Sequence, residues 1–302
     1  MSLGCKCDSG LSNTGTPNCV TLQSVTSKLI MIPLEDSTGA KNYLDLTTAP
    51  TIASINILIN EVDATKRWFP LPQFEKVELP KADSTFEEAP SGKKVFIKQG
   101  KRSFSGEIWN GANQLLGKIQ DNRCVEFGVY IVDVTGNLIG SKVGTKLYPI
   151  PVDNQSFDAQ MMYATDTTAQ KIMVSFDFYR LFDESSMWLI TGNELGGDFN
   201  AFDGLLDIVP SKISSTTTTL VIDANLDYGT AINPIKVLGL LVGDFTLKNT
   251  TTGAAIAISA ISTGSGANAN RYTLTIASQV LGTLVTLKIQ KTGYVGVLDT
   301  TI

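Results

Sequence analysis

The sequence predicts a mainly β protein, in which an antiparallel sheet of the sandwich or barrel-forming kind carries one packed α-helix and is followed by a C-terminal Ig-like β-sandwich. Three observations support this fold class. Short apolar stretches with period-two alternation recur between Gly, Asn and Thr turns. One segment has the apolar spacing of an amphipathic helix. The composition changes sharply at residue 210, which predicts a flexible arm and two domains, at 1–20, 21–210 and 211–302.

The most readable stretch is residues 93–133, which we expect to form the nucleus of the first domain. A polar turn separates its first two strands, and the helix has Leu115, Leu116 and Ile119 at helical spacing. A sheet and a helix that each bury one apolar face can form two packed layers. The pattern predicts strands at 94–98, 103–109 and 125–133. It also predicts a helix at 112–122 and a closing hairpin turn at 134–137.

Three further segments of the first domain have readable patterns. Residues 25–33 predict a strand, whereas 52–62 fit either a short helix or a strand. Two long strands at 155–164 and 171–182 predict a hairpin with one face on a core and one face in solvent. The predicted core side chains alternate along both strands: Phe157, Ala159, Met161, Tyr163, Ile172, Val174, Phe176 and Phe178.

Residues 63–90 combine aromatic, proline and carboxylate side chains, and we expect a long irregular connection there. Pro70, Pro72 and Pro80 exclude a regular helix or a central strand. Long ordered connections are usually functional, and clustered exposed aromatics mark contacts. We therefore expect a contact arm in which four aromatic side chains are buried between subunits; the alternative is that they close the core of their own subunit. These residues are Trp68, Phe69, Phe74 and Phe86.

The last 92 residues have a different composition from the rest. They contain no Glu, Trp, Met or Cys, and their six Lys or Arg and four Asp give a net charge of +2, which leaves −7 for residues 1–210. Six short strands with turns between them match the signature of an Ig-like sandwich. The threonine-rich run 214–219 is expected to lead from a linker into the first of these strands.

The residues that most enzymes and metal sites need are scarce in this sequence. Histidine is absent, so His-based triads, general bases and metal sites are excluded. Glu87 and Glu88 are adjacent, and neighbours on an extended chain point to opposite sides, so they do not form an acid–base pair. Cys5, Cys7 and Cys19 could converge on a metal or be free thiols, but they lack CxxC spacing. We therefore expect no enzyme activity, no cofactor and no metal.

Charge and hydropathy limit the cellular setting. The net charge of −5 argues against phosphate-backbone binding through a basic face. No apolar run approaches the roughly 20 residues of a membrane span, and the first residues do not have the pattern of a secretory signal. The expectation is a protein that is made and assembled in a cytoplasm.

The chain resembles the major tail tube protein of long-tailed bacteriophages, in the lambda-like form that has a C-terminal Ig-like domain. The resemblance is architectural and covers most of the chain. It is carried by the loop and strands from Lys66 through Gly106, the helix at 112–122, the sheet that follows it and the threonine-rich final domain.

The resemblance implies a structural virion protein of the phage tail, assembled in the host cytoplasm. Subunits would form hexameric rings that stack into a tube, and other tail proteins would be its partners. Strands of each subunit would combine into an inner barrel, whose closure removes exposed sheet edges. DNA would pass along an acidic bore without specific binding. The side chains expected to face the bore are Asp158, Ser175 and Asp177; the alternative is an ordinary wet sheet face.

Two other function classes remain open. The protein could be another virion structural or decoration protein. It could also be a carbohydrate-binding surface protein with an Ig-like module, in which Trp68, Trp109 and Trp188 are candidate aromatic platforms. Binding of host surface glycans by the C-terminal domain is a related expectation.

Overall fold

The computed structural model describes residues 14–16, 20–109, 111–230 and 232–302. The chain is mainly β, with 46% strand and 14% helix, in curled antiparallel sheets. This confirms the predicted fold class. Cys5, Cys7, Cys19 and most of the predicted arm 1–20 lie outside the described residues.

The described residues form three helices and 23 strands, apart from short 3-10 turns. The helices are α1 (Ile52–Ile59), α2 (Asn113–Asp121) and α3 (Gly192–Leu195). The strands are β1 (Thr26–Pro33), β2 (Leu44–Asp45), β3 (Phe69–Pro70), β4 (Glu75–Glu78), β5 (Thr85–Glu88), β6 (Lys94–Lys98), β7 (Ser103–Trp109), β8 (Phe127–Asp133), β9 (Leu138–Val143), β10 (Lys146–Tyr148), β11 (Ile150–Pro151), β12 (Asp158–Met162), β13 (Lys171–Asp177), β14 (Met187–Ile190), β15 (Leu206–Thr216), β16 (Thr219–Gly229), β17 (Pro234–Lys236), β18 (Phe245–Asn249), β19 (Ala255–Ile256), β20 (Ile258–Thr263), β21 (Arg271–Ile276), β22 (Leu284–Lys291) and β23 (Tyr294–Thr301).

The central sheet has eight strands, with β8 and β1 in its middle. Both strands are apolar on successive residues, not only on alternate ones, because both faces of this sheet are covered. Leu29 and Met31 of β1 face one core, whereas Ile30 and Ile32 face another. The predicted strand at 25–33 is confirmed, and the one at 125–133 begins at Phe127.

The four-stranded sheet, in the order β12-β13-β7-β4, covers one face of the central sheet. The core between them holds a group of phenylalanines, in which the rings of Phe104 and Phe176 stack with centroids 4.9 Å apart. The predicted helix at 112–122 is confirmed as α2, which buries Ile119 in the same core.

Helix α1 covers the other face of the central sheet. Residues 52–62, for which the sequence allowed either a helix or a strand, therefore contain a helix. Thr51 caps its first turn, and its side chain accepts a hydrogen bond from the Ser54 N–H, 3.2 Å away. Ile55 and Ile59, one turn apart, are buried in the second core. The isoleucines therefore serve a helix here because four-residue spacing places them on one face.

Pairing and strand length differ from expectation in three places. β6 pairs with β5 and not with β7. Residues 63–90 contain β3, β4 and β5; the prolines do not prevent these strands because Pro70 lies on an edge strand and the others lie outside strands. β12 ends at Met162, so Tyr163 is exposed instead of packed in the core.

The remaining nine strands form one curled sheet in which β15 and β23 pair in parallel. Its two terminal strands, β19 and β20, follow each other in the chain, so the sheet is nearly closed around a third core. The run 214–219 is not a linker. It forms the β15–β16 hairpin, and a bond between the Thr216 and Thr219 hydroxyls, 2.7 Å apart, closes the turn. β15 runs through the predicted boundary at 210–211.

Candidate self-association surface

The four-stranded sheet has a polar face directed away from the core, which we call the outer face. Strand alternation explains it, because the neighbours of the core residues in β7, β12 and β13 must point the other way. Its side chains are half-buried or exposed, apart from the buried Lys171. They are Ser103, Ser105, Glu107, Trp109, Asp158, Gln160, Met162, Lys171, Met173, Ser175 and Asp177.

The three residues predicted to face a bore all lie on this outer face. Asp158 of β12 is directly opposite Ser175 of β13, and Asp177 lies two residues further along β13. The Ser103 hydroxyl donates a hydrogen bond to Asp177, 2.8 Å away. The structure thus brings these side chains together, while their direction relative to other subunits remains a prediction.

The carboxylates of the outer face are paired with cations. Arg123 Nη2 lies 2.5 Å from Asp158 Oδ1, and Lys101 Nζ lies 3.4 Å from Asp177 Oδ2. A stronger bond from Lys101 to Asp153, at 2.9 Å, is the main cause that raises the pKa of the lysine. Both of these carboxylates of the outer face are thus paired with cations, whether or not this face lines a bore.

Glu107 is the centre of a second ion-pair group on the outer face. Lys171 Nζ is 2.6 Å from its carboxylate and Lys76 Nζ is 3.4 Å from it, while the Trp109 indole donates at 3.1 Å. The hydrogen bond from Lys171 lowers the pKa of Glu107 below its ordinary value. A carboxylate held in this way is a structural anion and a poor proton acceptor at neutral pH.

β5 and β6 form a two-stranded hairpin, which we call the exposed hairpin; an antiparallel bridge between Lys81 and Arg102 joins it to the β4–β7 pair of the four-stranded sheet. All nine strand residues are exposed, and β5 and β6 pair only with each other. It nevertheless exposes four large apolar side chains among its charged ones: the exposed fractions are 55% for Phe86, 47% for Val95, 45% for Phe96 and 50% for Ile97. The rings of Phe86 and Phe96 meet edge to face at 5.7 Å. Exposed apolar side chains that lie next to each other often mark a contact surface, so the hairpin fits a role in contact with another surface.

The four aromatics predicted to lie between subunits divide into two pairs. Trp68 and Phe74 are only 3% exposed; Trp68 packs on Tyr130 with ring centroids 4.9 Å apart. These two close the core of their own subunit and offer almost no surface to a second copy. Phe69 and Phe86 are 37% and 55% exposed, so they keep the predicted contact role.

The sequence interpretation missed Val95, Phe96 and Ile97 as contact candidates. Their signal was present: three successive apolar residues stand between lysines, at Lys94 and Lys98. Such a run indicates either a strand covered on both faces or an exposed apolar strand. Only the pairing partner decides between these possibilities, and here it is the equally exposed β5.

The described residues show no cluster of metal-ligating side chains. No group of three or more His, Cys, Asp or Glu side chains that could hold a metal is found among them. Glu87 and Glu88 are adjacent in β5, so their side chains point to opposite sides of the strand, and both are exposed. In the part of the chain that the structure describes, no helix has the length and apolar character of a membrane span.

The candidate carbohydrate platforms are dispersed. Trp68 is buried, whereas Trp109 and Trp188 are about half exposed and lie in different sheets. Each of the exposed indoles has a lysine over its ring: Lys76 at 5.9 Å and Lys142 at 4.0 Å. Within the described parts of 206–302, every aromatic side chain is buried or half-buried, so a glycan site there has no exposed aromatic to build on.

Comparison with known proteins adds no family. The chain matches no protein-family model and no curated protein.

Proposed function

We propose that this chain is a structural virion protein that polymerises as stacked hexameric rings into the tail tube of a long-tailed bacteriophage. The observation that carries the proposal is the exposed hairpin, which presents Phe86, Val95, Phe96 and Ile97 to solvent on a ribbon with no second layer. Burying these side chains against another copy would stabilise both the hairpin and the assembly.

The four-stranded sheet supports ring formation through its topology. Its strands are all antiparallel and even in number, so the two edge strands, β4 and β12, run in opposite directions. Copies related by rotation about an axis along the strands would place β12 of one beside β4 of the next. The antiparallel ladder would continue through every contact, and a closed ring would leave no free edge.

The outer face would then line the bore. Six copies with four strands each would give about 24 strands, more than the roughly 16–18 that leave an aqueous channel in porins. Lys76, Lys101, Arg123 and Lys171 are each paired with a carboxylate on or beside this face. Paired cations release little counterion energy to a phosphate backbone, so DNA would pass without being held.

The proposal also sets partners and location. The subunit would be assembled in the host cytoplasm, reside in the virion tail and contact other tail proteins at the ends of the tube. Ring stacking would use the exposed hairpin, since the edges of the four-stranded sheet are occupied within the ring.

The exposed hairpin provides the test. The double variant Phe96→Ser, Ile97→Ser removes two apolar contacts from positions that are about half exposed, so the monomer should keep its fold. We expect wild-type protein to form tubes in negative-stain images and sedimentation velocity, and the variant to form no tubes and to stop at single rings or smaller species. Circular dichroism should give the same spectrum for both chains.

A matched control is the double variant Val143→Ser, Val297→Ser, which makes similar changes at exposed positions in two other sheets. It should assemble as wild type does. Tubes of normal length and abundance from the hairpin variant, or wild-type protein that stays monomeric at all concentrations and with added tube fragments as seeds, would count against the proposal.

A further inference from the structure

The outer edge of β12 is occupied by side chains from the end of helix α2. In an antiparallel strand the N–H and C=O of one residue point to the same side, and successive residues alternate between the two neighbours. The carbonyls of Ala159, in β12, and of Phe157, the residue just before β12, face the same segment, because each accepts a hydrogen bond from a side chain of residues 120–123. Ala159 O accepts a hydrogen bond from Gln120 Nε2 at 2.8 Å, so this direction leads away from β13 and toward α2.

Arg123 occupies the adjacent position on the same edge. Its Nε donates to Phe157 O at 3.1 Å, and its Nη2 reaches Asp158 Oδ1 at 2.5 Å. Two successive outward acceptors of the edge are thus satisfied by side chains of one short segment, which includes the end of α2 and the turn that follows. A strand that adds to this edge needs these same two carbonyls.

We propose that Gln120 and Arg123 form an edge cap that keeps the free subunit from pairing through β12. This inference rests on the proposed function, in which β12 pairs with β4 of the next copy. Natural sheets commonly block exposed edges with charged or covering groups. Here the block is made of side chains and can be removed without unfolding a strand.

The chemistry of the cap suits reversible opening. Both Gln120 and Arg123 are exposed. When their side chains move away from the two backbone carbonyls, their donor groups form hydrogen bonds with water instead, so the loss of free energy is small. The Asp158 carboxylate also remains solvated, since it is partly exposed. An incoming β4 strand would then supply backbone N–H groups to the two vacated acceptors. The subunit would stay unpaired until a growing end offers that strand.

The cap predicts that its removal promotes association. The double variant Gln120→Ala, Arg123→Ala should lower the protein concentration at which half of the chain is in rings by roughly tenfold, as expected for removing about two competing hydrogen bonds. A contact that only stabilises the fold would have the opposite effect, because its loss weakens the monomer and raises that concentration. Sedimentation velocity over a concentration series measures the change.

Two further chains make the experiment specific. Gln114→Ala, Arg180→Ala removes the same residue types at exposed positions away from the edge and should match wild type. Gln120→Glu keeps the size of the side chain but replaces its donor with a carboxylate, so it should also open the cap. It is the variant to use if the double variant folds poorly. A half-assembly concentration that is unchanged or higher in both cap variants would overturn the inference.

A strand-addition assay separates this inference from the proposed function. A fluorescent peptide with the β4 sequence, residues 73–80, is titrated with monomeric protein and its anisotropy is recorded. We expect the cap variants to bind it about tenfold more tightly than wild type. If wild type and the cap variants bind the peptide with equal affinity, or if none of them binds it measurably, the edge-cap inference is wrong. Tighter binding by variants that never form rings would support the cap and contradict the tail-tube assignment.

Discussion

The Asp133 carboxylate, at the end of β8, is fully buried and accepts five hydrogen bonds. The donors are two groups each from Thr135 and Asn137 and the N–H of Ser24. Burial alone raises the pKa of a carboxyl, but these bonds outweigh it and hold the pKa of Asp133 below its ordinary value. The residue therefore fixes the β8–β9 turn and ties the segment before β1 to it.

Asp133→Asn should lower the free energy of unfolding at pH 7 by about 2 kcal/mol, because one acceptor oxygen becomes an NH₂ group that faces donors. In the wild type the charged form is favoured by folding, so its contribution is present above the ordinary carboxyl pKa near 3.8 and is lost as the pH falls below it. Urea unfolding between pH 7 and pH 3 measures both effects.

The control is Asp166→Asn, at an exposed position in the turn between β12 and β13, which should keep the wild-type pH profile. If Asp133→Asn leaves stability unchanged at pH 7 and its profile parallels the wild type, the assignment of this carboxylate as a structural anion is wrong.

The sequence predicted burial correctly where side chains alternate along a strand. It failed where burial depends on a contact with a residue far away in the chain. Ile172, Val174 and Phe176 were expected in a core from their spacing and are buried. Trp68 was expected between subunits because aromatics in a proline-rich loop look exposed. Its position depends on Tyr130, 62 residues further along the chain, and no local pattern contains that contact.

Two glycines test how closely elements pack. Gly117 lies inside α2, and a Cβ there would meet nothing within 4 Å. Gly117→Ala should therefore stabilise the protein by about 0.5–1 kcal/mol through helix propensity.

A Cβ on Gly140 of β9 would lie 2.7 Å from the ring of Tyr130 and 2.8 Å from the Tyr148 carbonyl oxygen. Gly140→Ala should destabilise by about 1–3 kcal/mol.

Chemical unfolding of the two glycine variants beside wild type gives both signs in one experiment. Equal effects of the two alanines would show that close approach of β9 to the Tyr130 ring does not limit stability.

At the scale of elements, the longer segments with a clear apolar period followed from the sequence, whereas many short strands and the strand pairing did not. Helix α2 and strands β1, β8 and β13 are near their predicted positions because each has a clear apolar period. The pairing of β6 with β5 was missed because the turn between β6 and β7 resembles a hairpin turn. Several strand edges can pair with a given strand, and the apolar period of that strand does not show which of them becomes its neighbour.

Over the whole molecule, the contacts that join the nine-stranded sheet to the rest include two groups of polar side chains. Lys118 of α2 lies 2.7 Å from Asp207 and 3.2 Å from Asp227, with Tyr228 under its ammonium at 4.9 Å. Asn60 at the end of α1 accepts from Gln290 and from the Gly293 N–H, both at 2.9 Å. We call these contacts the joint.

Lys118→Met should weaken the joint by about 1 kcal/mol, because it leaves two aspartates close together without their cation. We expect the thermal transitions of the nine-stranded sheet and of the remainder to move apart in calorimetry, and cleavage near 203–206 by protease to become faster. Lys248→Met, at an exposed position on β18, should show neither change. Identical thermograms for wild type and Lys118→Met would show that the lysine does not couple the two parts.

The change in composition at residue 210 indicated a distinct C-terminal part, but the joint itself could not be predicted. The division into domains at 210 and 211 stays a prediction, and β15 begins earlier, at Leu206. Lys118, Asn60 and Asp207 are ordinary surface residue types. Their role depends on three segments that meet only after folding, so no spacing in the sequence marks them.

The parallel pairing of β15 with β23 has a practical consequence. Both strands start at the joint and run away from it, since Leu206 N–H bonds to Gly293 O at the beginning of the pair. The β15–β16 turn at Thr217 and Thr218 is therefore at the opposite end of the sheet, and both residues are exposed. In the proposed tube, a short foreign epitope grafted between them would be repeated once per subunit at regular spacing, which would present it multivalently.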